Sequence, residues 1–408
     1  MIDLAQYLQV GGGNNGMLKL IRKMWPLLVL GFLVNTAYSV MWPLTTIYLH
    51  GDLHLNLVQS GLILAAYSGC NVLGGYLGGV LTDRYSARRV GVGMLIGLIV
   101  DAGGGFFWNG LVGYPIVLVI FGLLTGGMLT LITAMTAQLS HLDGRLFNLL
   151  YIFINVGLVV GTASIGILYH GSLKPIFALL LGCYVLAAGL WAASARHFER
   201  QASRQAPVSR GKTAPVTAST SRLSHVQLII ILLSLVFMWV TYAQWMSNVS
   251  VYIQNEGLGI KLYSYLWVYN GVLLIAVQAA MAKFSRSKVL PWQILGGLVA
   301  IGSSFLQLSN HSGVAILFVA MTLLTIGEAV YVPGVPALIN TYTVGNEGKY
   351  QGLVNAFSSL GKALGPVVGG VVIAQANSFP ALFWLCAVVD GLIAISFLVG
   401  VVPGLQKG

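Results

Sequence analysis

Charged residues are scarce in this sequence. Asp, Glu, Lys and Arg make up 8% of its 408 residues, only 10 of them acidic, while 57% are apolar. An ordinary soluble domain carries about 25% charged residues. A water-soluble globule is therefore excluded, because apolar surface on this scale has to be covered by lipid. Three cysteines, Cys70, Cys183 and Cys386, lie too far apart in sequence for a disulfide framework or a thiolate metal motif. The seven histidines are scattered over loops and span ends, so no zinc-like cluster forms. There is no G-x-x-x-x-G-K-[ST] phosphate loop: Gly103-Gly104-Gly105 runs into Phe106-Phe107-Trp108, with no lysine to reach a phosphate. No ordered Ser-His-Asp arrangement can be argued from the spacing. The sequence predicts a protein that is not an enzyme, with no catalytic residue, no cofactor and no metal.

What the chain has in abundance is long apolar runs. A bilayer-spanning helix needs about 20 such residues, and twelve runs qualify: 24–49, 57–82, 90–110, 115–138, 147–169, 174–195, 226–252, 263–283, 290–308, 314–337, 351–374 and 379–402. We number these spans 1 to 12. Continuous apolarity excludes a transmembrane barrel, whose strands alternate over about 10 residues. The basic residues then set the orientation under the positive-inside rule. Eighteen of the 21 fall on one face, among them Lys19, Arg22, Lys23, Arg84, Arg88, Arg89, Arg145, six between Arg196 and Arg222, Lys283, Arg286, Lys288, Lys349 and Lys407. Only Lys174 and Lys261 fall on the other, and Lys362 lies within span 11. Both termini are expected in the cytoplasm, in a plasma-membrane protein. The formal net charge of +11 thus reflects topology, not nucleic-acid binding. The first residues lack the features of a cleaved secretory signal and are expected to stay as a tail.

The longest polar stretch, Arg196 to Ser224, is rich in Ser, Thr, Ala, Arg and Pro without apolar periodicity, and it predicts a linker. The expected organisation is a tail over 1–23, a six-helix bundle over 24–195, a cytoplasmic linker over 196–225, a second bundle over 226–402 and a tail over 403–408. Sliding one half over the other by 204 residues aligns the fifth spans. Asp143-Gly144-Arg145 falls on Glu347-Gly348-Lys349, Phe153 on Phe357, and Gly157, Gly161 and Gly166 on Gly361, Gly365 and Gly370. The halves are one duplicated unit, an arrangement common among secondary transporters.

Leaving span 2 is Gly79-Val80-Leu81-Thr82-Asp83-Arg84-Tyr85-Ser86-Ala87-Arg88-Arg89. It resembles the major facilitator superfamily signature G-x-L-x-D-R-x-G-R-R, with Ser86 in place of the glycine and Ala87 in place of one base. Span 11 carries Gly361-x-x-x-Gly365-Pro366-x-x-Gly369-Gly370, which resembles the G-x-x-x-G-P-x-x-G-G pattern that drug:proton antiporters usually carry in span 5. Trp42-Pro43-Leu44-Thr45-Thr46-Ile47-Tyr48 and Gly327-Glu328-Ala329-Val330-Tyr331-Val332-Pro333 resemble the first and tenth spans of multidrug efflux members. Where those proteins often carry a span 4 arginine, this chain has Gly122-Leu123-Leu124-Thr125-Gly126-Gly127. The resemblance implies an all-α polytopic membrane protein with 12 transmembrane helices in two pseudo-symmetric six-helix bundles, the major facilitator fold. It also implies alternating access, with Gly79, Asp83, Arg84 and Arg88 as a conformational latch and the span 11 motif as a helix-packing surface.

Four ionisable residues lie at membrane depth: Asp101, Glu328, Lys362 and Asp390. Each costs about 2.5–3.5 kcal/mol on insertion scales and so needs a reason. Lys362 and Asp390, about halfway through adjacent spans, are expected to pair with each other. Glu328, with no evident partner and beside Pro333 and Pro336, is the leading proton-coupling candidate, and Asp101 is the second. A carboxylate removed from water holds its proton more tightly, so it can load on one side of the membrane and release on the other. Asn35, Tyr38, Trp42, Trp239, Tyr242, Gln244, Trp245, Asn248, Asn270 and Tyr331 are expected to line a cavity suited to lipophilic cations. The expected activity is proton-coupled export of hydrophobic or cationic drugs, with protons, a small-molecule substrate and the lipid bilayer as partners and a monomer as the working unit. The alternative is a facilitator or proton symporter of a sugar, peptide or other metabolite.

Overall fold

In lipid no water is available to satisfy backbone amides, so apolar runs of this length close their hydrogen bonds within themselves, as helices. The computed structural model describes residues 14–139, 146–203, 224–281, 289–310, 313–342 and 347–403. Span 1 is Asn14–Ile47, ending in a π-helical turn at Tyr48–Asp52. Spans 2 to 6 are Leu57–Arg84, Ala87–Phe107, Gly113–Leu139, Leu146–Leu168 and Lys174–Ser203. Span 7 is His225–Met246, continued after a break at Ser247 by Asn248–Asn255; spans 8 to 12 are Gly259–Met281, Leu290–Asn310, Val314–Tyr342, Glu347–Ala376 and Phe379–Gly400. No strand occurs among the described residues. Eleven of these helices are long and apolar enough to cross a membrane; span 9 falls below that hydropathy and packs along spans 10 and 12.

Local signals set several starts. Asn56 and Gln59 form a reciprocal capping box before span 2, and Ser224 and Gln227 do the same before span 7. Two boundaries differ from the hydropathy expectation. Span 1 begins ten residues earlier, at Asn14, and span 6 runs on to Ser203. The extension of span 6 has a packing cause: Trp191, Ala195 and Phe198 are buried on one face, and the Glu199 carboxylate accepts a 2.8 Å hydrogen bond from the backbone N–H of Arg88 at the start of span 3. Apolarity ends before this helix does, because Phe198 and Glu199 beyond the apolar run still dock on protein.

Two cores form, one from Met24 to Phe198 and one from Ile231 to Val402. Both halves use the same packing scheme. Span 1 lies on spans 5 and 6, span 2 on span 4, and span 3 on spans 4 and 6; in the second half span 7 lies on spans 11 and 12, span 8 on span 10, and span 9 on spans 10 and 12. The bundles meet where span 2 lies on span 11 and span 5 on span 8.

Glycine sets how closely these helices approach. A Cβ on Gly157 would meet the Phe32 carbonyl, and one on Gly161 the Thr36 carbonyl; on Gly361 and Gly365 it would meet Val236 and Val240, each partner 204 residues later like the glycines themselves. The seam between bundles is equally close. Gly61 abuts the backbone at Pro366, Gly370 abuts Leu57, and Gly166 abuts Ser264 and Lys261. All of these lie toward the face opposite the linker. Gly126 is expected to be, with Gly74, among the least tolerant positions within the first bundle, since its Cβ would strike the Asn71 carbonyl of span 2, which as backbone cannot yield. Gly126→Val should cost at least about 1–3 kcal/mol and reduce both thermal stability and the yield of monodisperse protein. Gly189→Val, facing open space, should leave both unchanged.

Candidate functional site

Toward the linker face the bundles separate. A cleft of about 380 Å³ is lined by Asn71, Gly75, Gly126 and Thr130 on spans 2 and 4 and by Asn355 and Ser359 on span 11, among others. Lys362 stands one turn beyond Ser359 on the same helix.

At this depth span 10 presents Glu328. Its backbone is pinned by Gly327, where a Cβ would strike Ile301 and the Gly297 carbonyl of span 9, and Pro333 and Pro336 lie one and two turns further along the helix. The side chain is half-buried. Asn270 of span 8 donates through Nδ2 to Glu328 Oε2 at 3.1 Å and to Thr325 Oγ1 at 2.8 Å. The Tyr242 hydroxyl from span 7 lies beside the carboxylate, and Lys362 from span 11 attracts it through space. The Lys362 ammonium sits 3.8 Å from the centroid of the Trp239 ring, and Trp239 packs edge-on against Tyr242 at 5.0 Å. Four spans thus contribute to one polar cluster. A carboxylate held by neutral donors beside a mobile-stemmed ammonium can exchange a proton while the donors keep it in place.

Sequence reasoning placed Glu328 without a partner and paired Lys362 with Asp390. The structure differs on both points. Lys362 is drawn to Glu328 and Trp239, whereas Asp390 is fully buried within the second bundle and accepts a 3.0 Å hydrogen bond from Thr241 Oγ1. The reason is angular: Lys362 lies on the face of span 11 turned to spans 7 and 10, while Asp390 packs against Gly302 of span 9. Asp101 is buried inside the first bundle beside Tyr184 of span 6, with Oδ2 unpaired. It is not brought near Glu328.

The expected cavity residues divide in the same way. Tyr38 and Trp239 are half-buried while Trp42, Tyr242 and Asn270 are buried, and Tyr38 packs tilted and Trp42 edge-on against Tyr67 at 6.4 and 5.7 Å. The others hold helices together. Asn35 donates to the Ile154 carbonyl at 2.8 Å, Gln244 to the Gly365 carbonyl at 2.7 Å, Asn248 to Gln244 Oε1 at 2.6 Å and Trp245 to Ser304 at 3.2 Å, and Tyr331 shares a 2.7 Å bond with Ser234. Within the motif of span 11, Gly361, Gly365 and Gly369 pack on span 7, while Pro366 and Gly370 face span 2.

At the latch, Gly79 lies near Thr130 of span 4 and Arg84 is exposed. The side chains of Asp83 and Arg145 lie outside the described residues. Arg88 is anchored through its backbone by Glu199, a residue the sequence reading passed over. Its signal was a lone acid in the otherwise basic run Arg196-His197-Phe198-Glu199-Arg200. A second missed feature is a repeated polar pair. Asn71 of span 2 donates to Thr125 of span 4 at 3.3 Å, as Asn270 of span 8 does to Thr325 of span 10, but only the second asparagine continues to a carboxylate.

The family profile described as Major Facilitator Superfamily matches residues 27–309 and 262–407. An uncharacterized MFS-type transporter, YttB, from Bacillus subtilis (strain 168) is 31% identical over 85% of this chain and 87% of its own. A second from the same organism, YqjV, is 25% identical over 86% of each. Among solved structures, the POT family transporter PepTSo superposes with a TM-score of 0.75 at 12% identity over 95% of this chain and 99% of that one, a likeness of fold. The chain belongs to the Major Facilitator Superfamily and is a multi-pass membrane transporter.

The placement of Asp390 gives a direct test. Thr241→Val removes the hydroxyl bonded to this buried carboxyl group and should cost about 1–3 kcal/mol, read as a fall in thermal stability in detergent. In an Asp390→Leu background the same substitution should cost almost nothing. An equal loss in both backgrounds would mean that the Thr241–Asp390 bond carries no coupling.

Proposed function

We propose that this member of the Major Facilitator Superfamily is a proton-coupled secondary transporter of small organic molecules, with Glu328 as the proton site. The observation that carries the reading is the cluster at Glu328: a half-buried carboxylate at membrane depth, donated to by Asn270, with the Tyr242 hydroxyl beside it and the Lys362 ammonium attracting it. An intramembrane carboxylate with mobile charge partners is a functional-site hypothesis by default. The structural alternative, a glutamate that only ties helices together, does not call for an ammonium held over an aromatic ring beside it.

The basic face of the chain, which includes the linker, lies in the cytoplasm of a plasma-membrane monomer. The conformation is then inward-open, since the bundles meet on the far face through Gly61, Gly166 and Gly370 and part toward the linker. Rocking about this glycine seam would close the cleft and open the opposite face. Half-buried Tyr38 on one side and Trp239 on the other, packed against the buried rings of Tyr67 and Tyr242, offer aromatic surface to a flat apolar cargo. That wall supports the export of hydrophobic or cationic drugs. The lysine beside Glu328 supports the second reading, symport of a metabolite.

The test uses purified protein in liposomes loaded with a pH-sensitive dye, given a panel of aromatic solutes that includes ethidium. A solute moved by the wild type should carry protons with it or against it, and an imposed pH gradient should drive its accumulation. Glu328→Gln should still let that solute equilibrate down its own gradient, with no proton signal and no accumulation. Gradient-driven accumulation that survives Glu328→Gln would remove Glu328 from the coupling step.

A further inference from the structure

The charge balance of the central cluster depends on a single proton. Among the described residues, Glu328 and Lys362 are the half-buried charged side chains at membrane depth. Spans 4 and 5, facing them from the first bundle, contain no Asp, Glu, Lys or Arg between Gly113 and Leu139 or between Leu146 and Leu168. Asp101 and Asp390 are enclosed within their own bundles. The groups around Glu328 are Tyr242 from span 7, Lys362 from span 11 and the uncharged Asn270 from span 8, while span 9 abuts the adjoining Gly327 through Gly297 and Ile301. Tyr151 of span 5 and Tyr263 of span 8 lie around Tyr242. With Glu328 ionised, the site is neutral overall. With Glu328 protonated, it carries one uncompensated ammonium.

A cationic cargo therefore meets a neutral pair in one state and a like charge in the other, and gains no net attraction from either. An anion gains it as soon as Glu328 is protonated. Lys362 is well placed to hold that anion, being half-buried, one turn beyond the cleft-lining Ser359, with its ammonium 3.8 Å from the Trp239 ring centroid. Cation–π contact fixes the position of a lysine without cancelling its charge, because the ring has no formal charge to give. Trp239 and Tyr242 continue the same surface with apolar area.

We propose that Lys362 is the substrate anchor and that the cargo is an organic anion, an apolar or aromatic body bearing a carboxylate, sulfonate or phosphate group, bound while Glu328 carries a proton. This rests on Glu328 being the proton site. The proton adds to a carboxylate oxygen of Glu328, the ammonium of Lys362 keeps its own protons, and the anion takes over the attraction that Glu328 gave up. By thermodynamic linkage, the bound anion raises proton affinity by the same factor that the proton raises anion affinity. Two ligands that favour each other load and leave together. The coupling is symport, not the exchange of a proton for a cation.

The test measures binding of matched aromatic probes to the purified full chain, naphthalenesulfonate against naphthylmethylammonium, by titration calorimetry and thermal stabilisation at mildly acidic and mildly alkaline pH. The anion should bind, about tenfold or more tightly at acidic pH, and the cation should not. Lys362→Gln should weaken the anion about tenfold or more, as expected for loss of a charged hydrogen-bond partner, while Lys362→Arg should retain it and guard against misfolding. Binding of the cation in preference to the anion, no anion binding at either pH, or anion binding unchanged in Lys362→Gln would each overturn the proposal. Glu328→Gln separates the two readings. It should hold the anion at the acidic-pH affinity wherever Lys362 keeps its own proton; a pH dependence persisting between mildly acidic and neutral pH in that variant would indict Glu328, while the Lys362 variants still judge the anchor.

Discussion

Close approach of backbone to backbone at glycine is the constraint from which the rest of this structure follows. Lipid offers helices no hydrophobic reason to associate, so packing and short-range polar contact must hold them together. Gly157 and Gly161 seat span 5 on span 1, and Gly361 and Gly365 seat span 11 on span 7, through partners that repeat with the same spacing as the glycines. One turn or so further on, Gly166 and Gly370 turn the same surface outward to the opposite bundle. A single stripe thus builds each half and joins the two. Because side chains interlock little at such a seam, it can act as a pivot, whereas the interdigitated cores on either side move as units.

Three carboxyl groups lie within the membrane, and their surroundings separate them. Asp390 is enclosed, with one hydroxyl donor from Thr241; Asp101 is enclosed beside Tyr184; Glu328 is half-open and has an amide donor, a neighbouring hydroxyl and a cation. Removal from water makes a charge costly on each of them. Only Glu328 combines that cost with partial exposure and a charge whose balance changes when the proton leaves. Burial and chemistry part company here, and accessibility decides between them.

Hydropathy made the helices legible to within a few residues wherever lipid covers them, since the same physics writes the sequence and the boundary. It failed at Asn14 and at Ser203, where helix continues beyond the apolar runs. The glycine repeat made the duplication legible, whereas the helices that the glycines seat upon, spans 1 and 7, are visible only in the structure. Side-chain direction was not legible. Lys362 and Asp390 sit at matching depths in adjacent helices, and depth is all that residue counting measures; which faces they turn to each other depends on helix rotation. For the same reason Gln244, Asn248 and Tyr331 read as cavity residues, but Gln244 and Tyr331 fasten span 7 to spans 11 and 10 and Asn248 bridges the break within span 7. Glu328 could be singled out because an intramembrane charge is costly in any orientation, whereas its partner could not.

The duplicated scaffold makes the lack of symmetry in its chemistry informative. Both halves carry the glycine stripe, and both carry an asparagine bonded to a threonine across the second and fourth helices of the half, Asn71 to Thr125 and Asn270 to Thr325. In the first half that asparagine also reaches the Gly122 carbonyl and the polar chain ends in backbone. In the second half it reaches Glu328, and Lys362 follows from the next span. Duplication therefore supplies two equivalent bundles that can rock about a common seam, while the ionisable pair is present once. Alternating access requires this division: the moving parts are paired so that both end states are equally well packed, and the site is single so that one proton and one charge balance are exposed first to one side and then to the other.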